Sequence, residues 1–147
     1  MTDLIDDTYP AAWQAPLKHS RYLRQLLEAH PEIADWLKQH ANLPFDFALM
    51  REFLAAQAPA SEDELKQALR RLRQHVMATL IVRDIGGEAP LAEVVETMTL
   101  LADFTPNSAA GFIHRQLAEQ FGEPLDTQGE PQRLMIVGMG KLGGREL

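Results

Sequence analysis

Not one cysteine occurs among the 147 residues. No disulfide framework, thiolate nucleophile or cysteine metal ligand is therefore available, and a reducing compartment suits the chain. Positive charge is scarce: 14 Lys and Arg stand against 21 Asp and Glu, for a net charge of -7. A general nucleic-acid binder needs a basic face to displace counterions, so that class is excluded. A small local group of arginines could still meet one nucleotide. Long apolar runs are missing, which excludes a bilayer span. The opening "MTDLIDD" carries three aspartates where a secretion signal would carry positive charge. The expectation is a soluble, cytoplasmic protein with no membrane and no nucleic-acid partner.

What is present is a 46% hydrophobic, 24% charged sequence, the balance of a globular domain with a core. Residues 1–16 read as an irregular leader punctuated by Pro10 and Pro16, with Trp13 its large anchor. From Leu17 the helical period takes over. Leu23, Leu26 and Leu27 form one stripe; Pro31 opens a second helix with Ile33, Trp36 and Leu37 on its apolar face. "FALMREFLAAQ" reads as a third. In the longest run, Ser61 and Glu64 make a capping box. Leu65, Leu69, Leu72, Val76 and Leu80 then share a face, and Gly86-Gly87 supplies the stop. Pro90 opens a helix lined by Leu91, Val94, Val95, Met98 and Leu101. Asn107 or Ser108 is expected to cap a further one, striped by Ile113, Leu117 and Phe121 and ended by Gly122. These stripes read as core.

The character then changes. Residues 123–132 are Pro, Gly and polar, a linker or long loop. "RLMIV" at 133–137 is too short for a helix and apolar on successive residues, as a strand buried on both faces would be. It runs into "GMGKLGGREL". Gly138, Gly140 and Gly143 satisfy G-x-G-x-x-G, so a dinucleotide-binding oxidoreductase start is one reading. The P-loop pattern fails, because Gly144 stands where its lysine belongs and Arg145 where its Ser or Thr belongs. A bare strand-to-helix turn is another reading. Against it, Lys141 and Arg145 flank the glycines in an acidic chain, and "GREL" resembles a helix start, whose free N–H groups attract anions. The five histidines have no metal-ligand spacing and read as partly exposed helix residues. "RRLR" at 70–73 reads as a solvated face, with contact to phosphate or to an acidic protein surface as the alternative.

The ten residues "GMGKLGGREL" closely resemble the first active site of the glutamine synthetase adenylyltransferase family, whose members add and remove AMP on glutamine synthetase. The likeness extends through "QGEPQRLMIVGMGKLGG", "AHPE" at 29–32 and the helix before "RDIGG". It covers the chain, most closely at 120–147. The resemblance implies a mainly α fold: a helical region over 17–122, a linker over 123–132, and over 133–147 the first strand and Gly-rich turn of an incomplete α/β nucleotidyltransferase domain. In the similar polymerase β-type fold the Gly-Gly turn holds nucleotide phosphates, and an Asp-x-Asp pair on a neighbouring strand binds two Mg2+ ions. Leu142-Gly143-Gly144 matches that turn. Gly143 and Gly144 are thus the implied phosphate-binding residues, with Gly140, Lys141 and Arg145 beside them. No Asp-x-Asp occurs in the 147 residues, and neither "LIDD" nor "EDE" replaces it. No catalytic residue and no metal ligand is therefore expected here.

The motif follows one helical region, as in the family's first, adenylyl-removing half, which uses orthophosphate to release ADP from a modified tyrosine. Implied partners are glutamine synthetase, ATP or ADP, phosphate and the PII signalling protein, within nitrogen-assimilation control, and the implied cofactor is Mg2+. The rival from another class is a helical docking module without chemistry of its own. Sequence beyond Leu147 separates the readings: an early Asp-x-Asp favours the enzyme, and an acidic residue after a full βαβ unit favours the oxidoreductase.

Overall fold

The computed structural model describes residues 8–145. A 3-10 turn, Ala11–Trp13, leads into α1 (Gln14–His19), α2 (Arg21–Ala29), α3 (Pro31–His40), α4 (Phe47–Gln57), α5 (Glu62–Ile85) and α6 (Leu91–Phe121). Helix thus begins before Leu17, inside the stretch read as leader, because Trp13 and Pro16 are buried and pull it onto the body. Residues 1–7 lie outside the described region. Ser20 then splits the expected first helix in two: its extended backbone breaks α1, and its Oγ accepts the Leu23 N–H at the head of α2.

Helix α5 is the axis of the packing. Ala78 and Val82 join Trp13, Leu23, Leu26, Leu27, Ile33 and Leu37 in one cluster, while Leu72, Val76 and Leu80 join Phe45, Met50, Leu101 and Phe104 in another. Trp36 packs against both. Local signals agree with this placement. Asp46 caps α4 by accepting from Leu49 N–H at 2.8 Å. Ser61 Oγ accepts from Glu64 N–H, and Glu64 reaches back to the Ala60 N–H. Gly87, at φ +81, makes the left-handed turn that ends α5.

Two expectations about α6 are corrected. No new helix starts at Asn107 or Ser108; one helix runs through Pro106. Proline has no N–H for the carbonyl of Ala102. The turn around it is held by side chains: Thr105 Oγ1 donates to Leu101 O, and Asn107 Nδ2 to Asp103 O, both at 2.8 Å. Asn107 thus bonds backward instead of capping. Second, Ile113, Leu117 and Phe121 are 40%, 49% and 74% exposed, and Leu91 is exposed as well, so that stripe is not core.

Arg83 joins α5, α6 and α3. Its side chain is 7% exposed and that of Glu93 is 12% exposed. Nε donates to Glu93 Oε1 at 2.6 Å and Nη2 to Oε2 at 3.0 Å, a bidentate pair, while Nη1 donates to the carbonyl of Ala41 at 3.1 Å. The hydrogen bonds to Glu93 hold the guanidinium pKa above its ordinary value despite burial. Among the described residues no buried side-chain nitrogen or oxygen lacks a partner. Arg83→Leu is expected to cost about 3–5 kcal/mol in urea unfolding, because it strands the Glu93 charge. Arg83→Leu/Glu93→Leu should recover much of that loss; equal loss in both variants would refute the ion pair as the cause.

His75 is buried, against the expectation of partly exposed histidines. Its Nδ1 lies 2.8 Å from the carbonyl of Arg71, to which the N–H donates, and its ring meets Trp36 edge-on and tilts against Phe53. Desolvation by burial pushes its pKa below the ordinary value, outweighing the Arg71 hydrogen bond that raises it. The unfolded chain therefore binds the proton more readily than the folded one. Stability should be highest above about pH 6.5 and fall as pH drops below it toward the folded-state value. Urea midpoints measured from pH 7.5 to 5 should show this slope, and His75→Asn should flatten it. An unchanged slope in the variant would exclude His75 as its source.

Candidate functional site

Gly122, at φ +87, turns the chain out of α6. Of the two readings of residues 123–132, linker or long loop, the second holds, and the loop is hydrogen-bonded. Asp126 N–H donates to Glu130 O at 3.0 Å and Gln132 N–H to Pro124 O at 2.8 Å, while Asp126 Oδ1 accepts from the N–H groups of Gln128 and Glu130. Leu125 and Pro131 form an isolated antiparallel bridge, and His114 Nε2 lies 3.0 Å from Glu123 Oε2, tying the loop to α6.

Arg133–Val137 does not form the expected strand. It pairs with no ladder among the described residues, and its apolar side chains lie exposed. A strand needs a neighbour for its N–H and C=O groups, and none is folded beside it.

The glycine motif closes on itself. Gly140 takes φ +61, a left-handed geometry that favours glycine. Gly144 N–H donates to Gly140 O at 2.9 Å and Arg145 N–H to Leu142 O at 3.1 Å. Gly143 lies so close to the Gly138 carbonyl that a Cβ built on it would stand 2.8 Å from that oxygen. The glycines at 140, 143 and 144 therefore share one tight turn. A helix start at Arg145 is not seen: that residue is left-handed at φ +56, and Glu146 and Leu147 lie outside the described residues.

Lys141 and Arg145 are exposed, and neither forms an ion pair among the described residues. Arg145 lines an open groove of about 490 Å³ with Leu91, Ala92, Val95, Glu96 and Thr99 of α6. The turn thus sits near the N-terminal end of that helix. A wider groove, about 990 Å³, lies elsewhere, between α4 and α6 with Arg51 and Arg115 among its lining. No residue of 133–145 reaches it. In "RRLR", Arg71 donates to Gln57 Oε1 at 3.1 Å, and Arg70 and Arg73 stay exposed. No three His, Asp or Glu among the described residues stand where they could hold a metal ion. The donor set among the described residues does not fit Mg2+. No helix among these residues is long and apolar enough to cross a membrane.

An apolar stretch and a tight glycine turn flanked by two exposed cations thus follow a helical unit. The sequence model of the glutamate-ammonia ligase adenylyltransferase family matches residues 15–147, and the chain belongs to that family. It is 43% identical over 140 residues to the bifunctional glutamine synthetase adenylyltransferase/adenylyl-removing enzyme of Bordetella pertussis, covering 90% of this chain and 15% of the relative. The Aromatoleum aromaticum protein of that name is 39% identical over 138 residues, 94% of this chain and 15% of the relative. That of Nitrosomonas europaea is 40% identical over 153 residues, all of this chain and 16% of the relative. The chain spans about one sixth or less of the length of these curated relatives.

The turn's closure gives a local test. Gly143→Ala sets a methyl against the Gly138 carbonyl, whereas at Gly138 an added Cβ meets the movable Leu142 side chain at 3.0 Å and stands at ordinary contact distance, 3.7 Å, from the Gly143 nitrogen. Gly143→Ala is expected to shift the Gly144 amide resonance and speed its exchange, and Gly138→Ala to leave both near wild type. Each should change global stability by no more than about 0.5 kcal/mol, since the turn is exposed. Identical spectra for the two variants would show that the turn does not close this way.

Proposed function

We propose that this chain is the N-terminal segment of an enzyme that removes and adds AMP on a tyrosine of glutamine synthetase, and that it belongs to the removing half. The observation that carries the reading is the family match, which takes in the helical unit and the glycine turn together. The names of the relatives support glutamine synthetase as the protein substrate.

In this reading Gly143 and Gly144 bring backbone close to a phosphate, where a side chain would intrude. The Gly144 N–H exchanges its Gly140 carbonyl partner for a phosphate oxygen, and Lys141 and Arg145 add positive charge beside it. The ligand is ATP, ADP or orthophosphate. Removal is phosphorolytic: orthophosphate attacks the AMP phosphorus, the bond to the tyrosine oxygen breaks, and ADP leaves. Mg2+ is the proposed cofactor; an Asp-x-Asp pair, which these 147 residues do not contain, would hold it, and it would supply charge neutralisation at the phosphates. PII is the proposed regulatory partner and the cytoplasm the proposed compartment. The domain boundaries proposed are 123–132 for the connection after the helical region and 133 onward for the nucleotidyltransferase unit.

Incubated with adenylylated glutamine synthetase, Mg2+ and orthophosphate, the purified 147-residue chain is expected to release no ADP. In the full-length Bordetella pertussis relative, valine at the position matching Gly144 should leave the fold intact and lower ADP release by at least about 100-fold, comparable to the loss of one preorganised donor, because the side chain holds the phosphate off the backbone N–H. Near-normal turnover would refute the phosphate assignment, and ADP release by the isolated chain would refute the missing metal site.

A further inference from the structure

Four charged side chains line the groove between α4 and α6: Arg51 and Glu52 on one wall, Arg115 and Glu119 on the other. All four are exposed, and none forms an ion pair among the described residues. The α6 face that buries Leu101 and Phe104 continues through Ser108, Gly111, Arg115 and Glu119. Core thus gives way to small residues and charge along a single line. On the facing wall, Ala48 and Ala55 stand one turn to either side of Arg51 and Glu52. Thr79, Thr99 and Thr105 each donate to the carbonyl four residues back, whereas Ser108 forms no such bond among the described residues. Arg115 lies back over Gly111, its Nη1 3.7 Å from where a Cβ would stand.

We propose that this groove is an interface between two copies of the chain, with α6 of each copy lying in the groove of the other. Charge selects the occupant. A purely acidic partner would be set against Glu52 and Glu119, and a purely basic one against Arg51 and Arg115. A second copy brings both signs in the same spacing. Because α6 is itself a wall of the groove, laying it in a second copy's groove places that copy's α6 in the first, and the contact closes on a two-fold axis. The register follows from the fold. Helices α4 and α6 each join α5 through a short connection and run antiparallel to it, so they run the same way as each other. The Phe47 and Phe104 rings meet at 5.5 Å where the groove begins. Counting from that contact, Arg51 and Glu52 stand level with Ser108, and Ala55 with the turn at Gly111. An axis between Gly111 and Arg115 sets the two α6 helices antiparallel. Glu119 of one copy then reaches Arg51 of the other, and Arg115 reaches Glu52, each pair formed twice. Gly111 and Ala55 leave room for the Arg115 stem.

Sedimentation equilibrium of the 147-residue chain tests this. A dimer with a dissociation constant on the order of 10 µM is expected, as suits a small contact rich in charge. Raising NaCl from about 0.05 to about 0.5 M should weaken it roughly tenfold, since exposed pairs are screened. Arg115→Glu should weaken it by at least about tenfold, because like charges then face each other in both pairs. Arg115→Glu/Glu52→Arg inverts the pair and should return to within about threefold of wild type. Gly111→Leu fills the crossing point and should leave a monomer of unchanged helix content, leucine being the better helix former. A chain that stays monomeric up to about 500 µM would overturn the proposal. A dimer indifferent to Arg115→Glu, or a double variant no tighter than the single one, would also overturn it. Loss of the dimer in Val137→Lys but not in Gly111→Leu would place the contact on the exposed 133–137 segment, and the groove would not be the interface. None of these readouts involves turnover, so they stand apart from the enzymatic reading.

Discussion

The fold depends on one guanidinium. Arg83 stands at the last turn of α5, and its bidentate bond to Glu93 sets where α6 may begin. Its third contact, to the carbonyl of Ala41, fixes the end of α3 against the same point. The backbone adds to this: the carbonyl of Arg83 accepts from the N–H groups of both Glu88 and Ala89, so the Gly86-Gly87 turn is laid over the arginine that closes it. A buried pair of this kind is not a cheap source of stability, since its attraction must offset the desolvation of two ions. Its value lies in direction. Apolar stripes allow many crossing angles, whereas a planar fork with a carboxylate and a carbonyl allows very few.

The direction so imposed on α6 positions everything that follows. The helix leaves the Arg83 junction, crosses α4 and α5 through Leu101 and Phe104, and carries its far side away from the body. The loop at 123–132, pinned by Asp126 and by the His114–Glu123 contact, then turns the chain back. The glycine turn reaches the first turns of α6, so the junction that starts the helix and the candidate phosphate site lie near the same end of it. The helical unit thus acts as a mount for the turn.

Much of this was legible in the sequence, and the reasons for the failures are physical. The stripes of α2, α3 and α5 are short-range patterns, and Leu23, Ile33, Leu72 and Val76 are buried where periodicity put them. The pattern at Ile113, Leu117 and Phe121 is equally clear, but periodicity states only that a face is apolar, not which partner covers it. Pro106 is a strong local break signal that two backward side-chain bonds overrode. Glu93 carries no periodic signal, because its partner lies across a turn and a buried ion pair leaves no periodic trace. An arginine closing one helix and a glutamate in the first turn of the next was the available signal. At the candidate site the sequence supplied the glycines and the family likeness. The sense of the 133–137 segment was beyond it, since a strand is defined by neighbours and not by its own residues.

The sharing of α5 between two clusters has a consequence for how the protein comes apart. Ala78 and Val82 serve one cluster, while Leu72, Val76 and Leu80 serve the other, and all five stand on one uninterrupted run of helix. Neither cluster can lose its contribution from α5 without unwinding turns that the other also uses. Trp36, packed against both, adds a second strap. The helices that look like two small bundles therefore form a single thermodynamic block, whose parts melt together. Among the described residues, the exposed outer turns of α6 and residues 122–145 can open without that block.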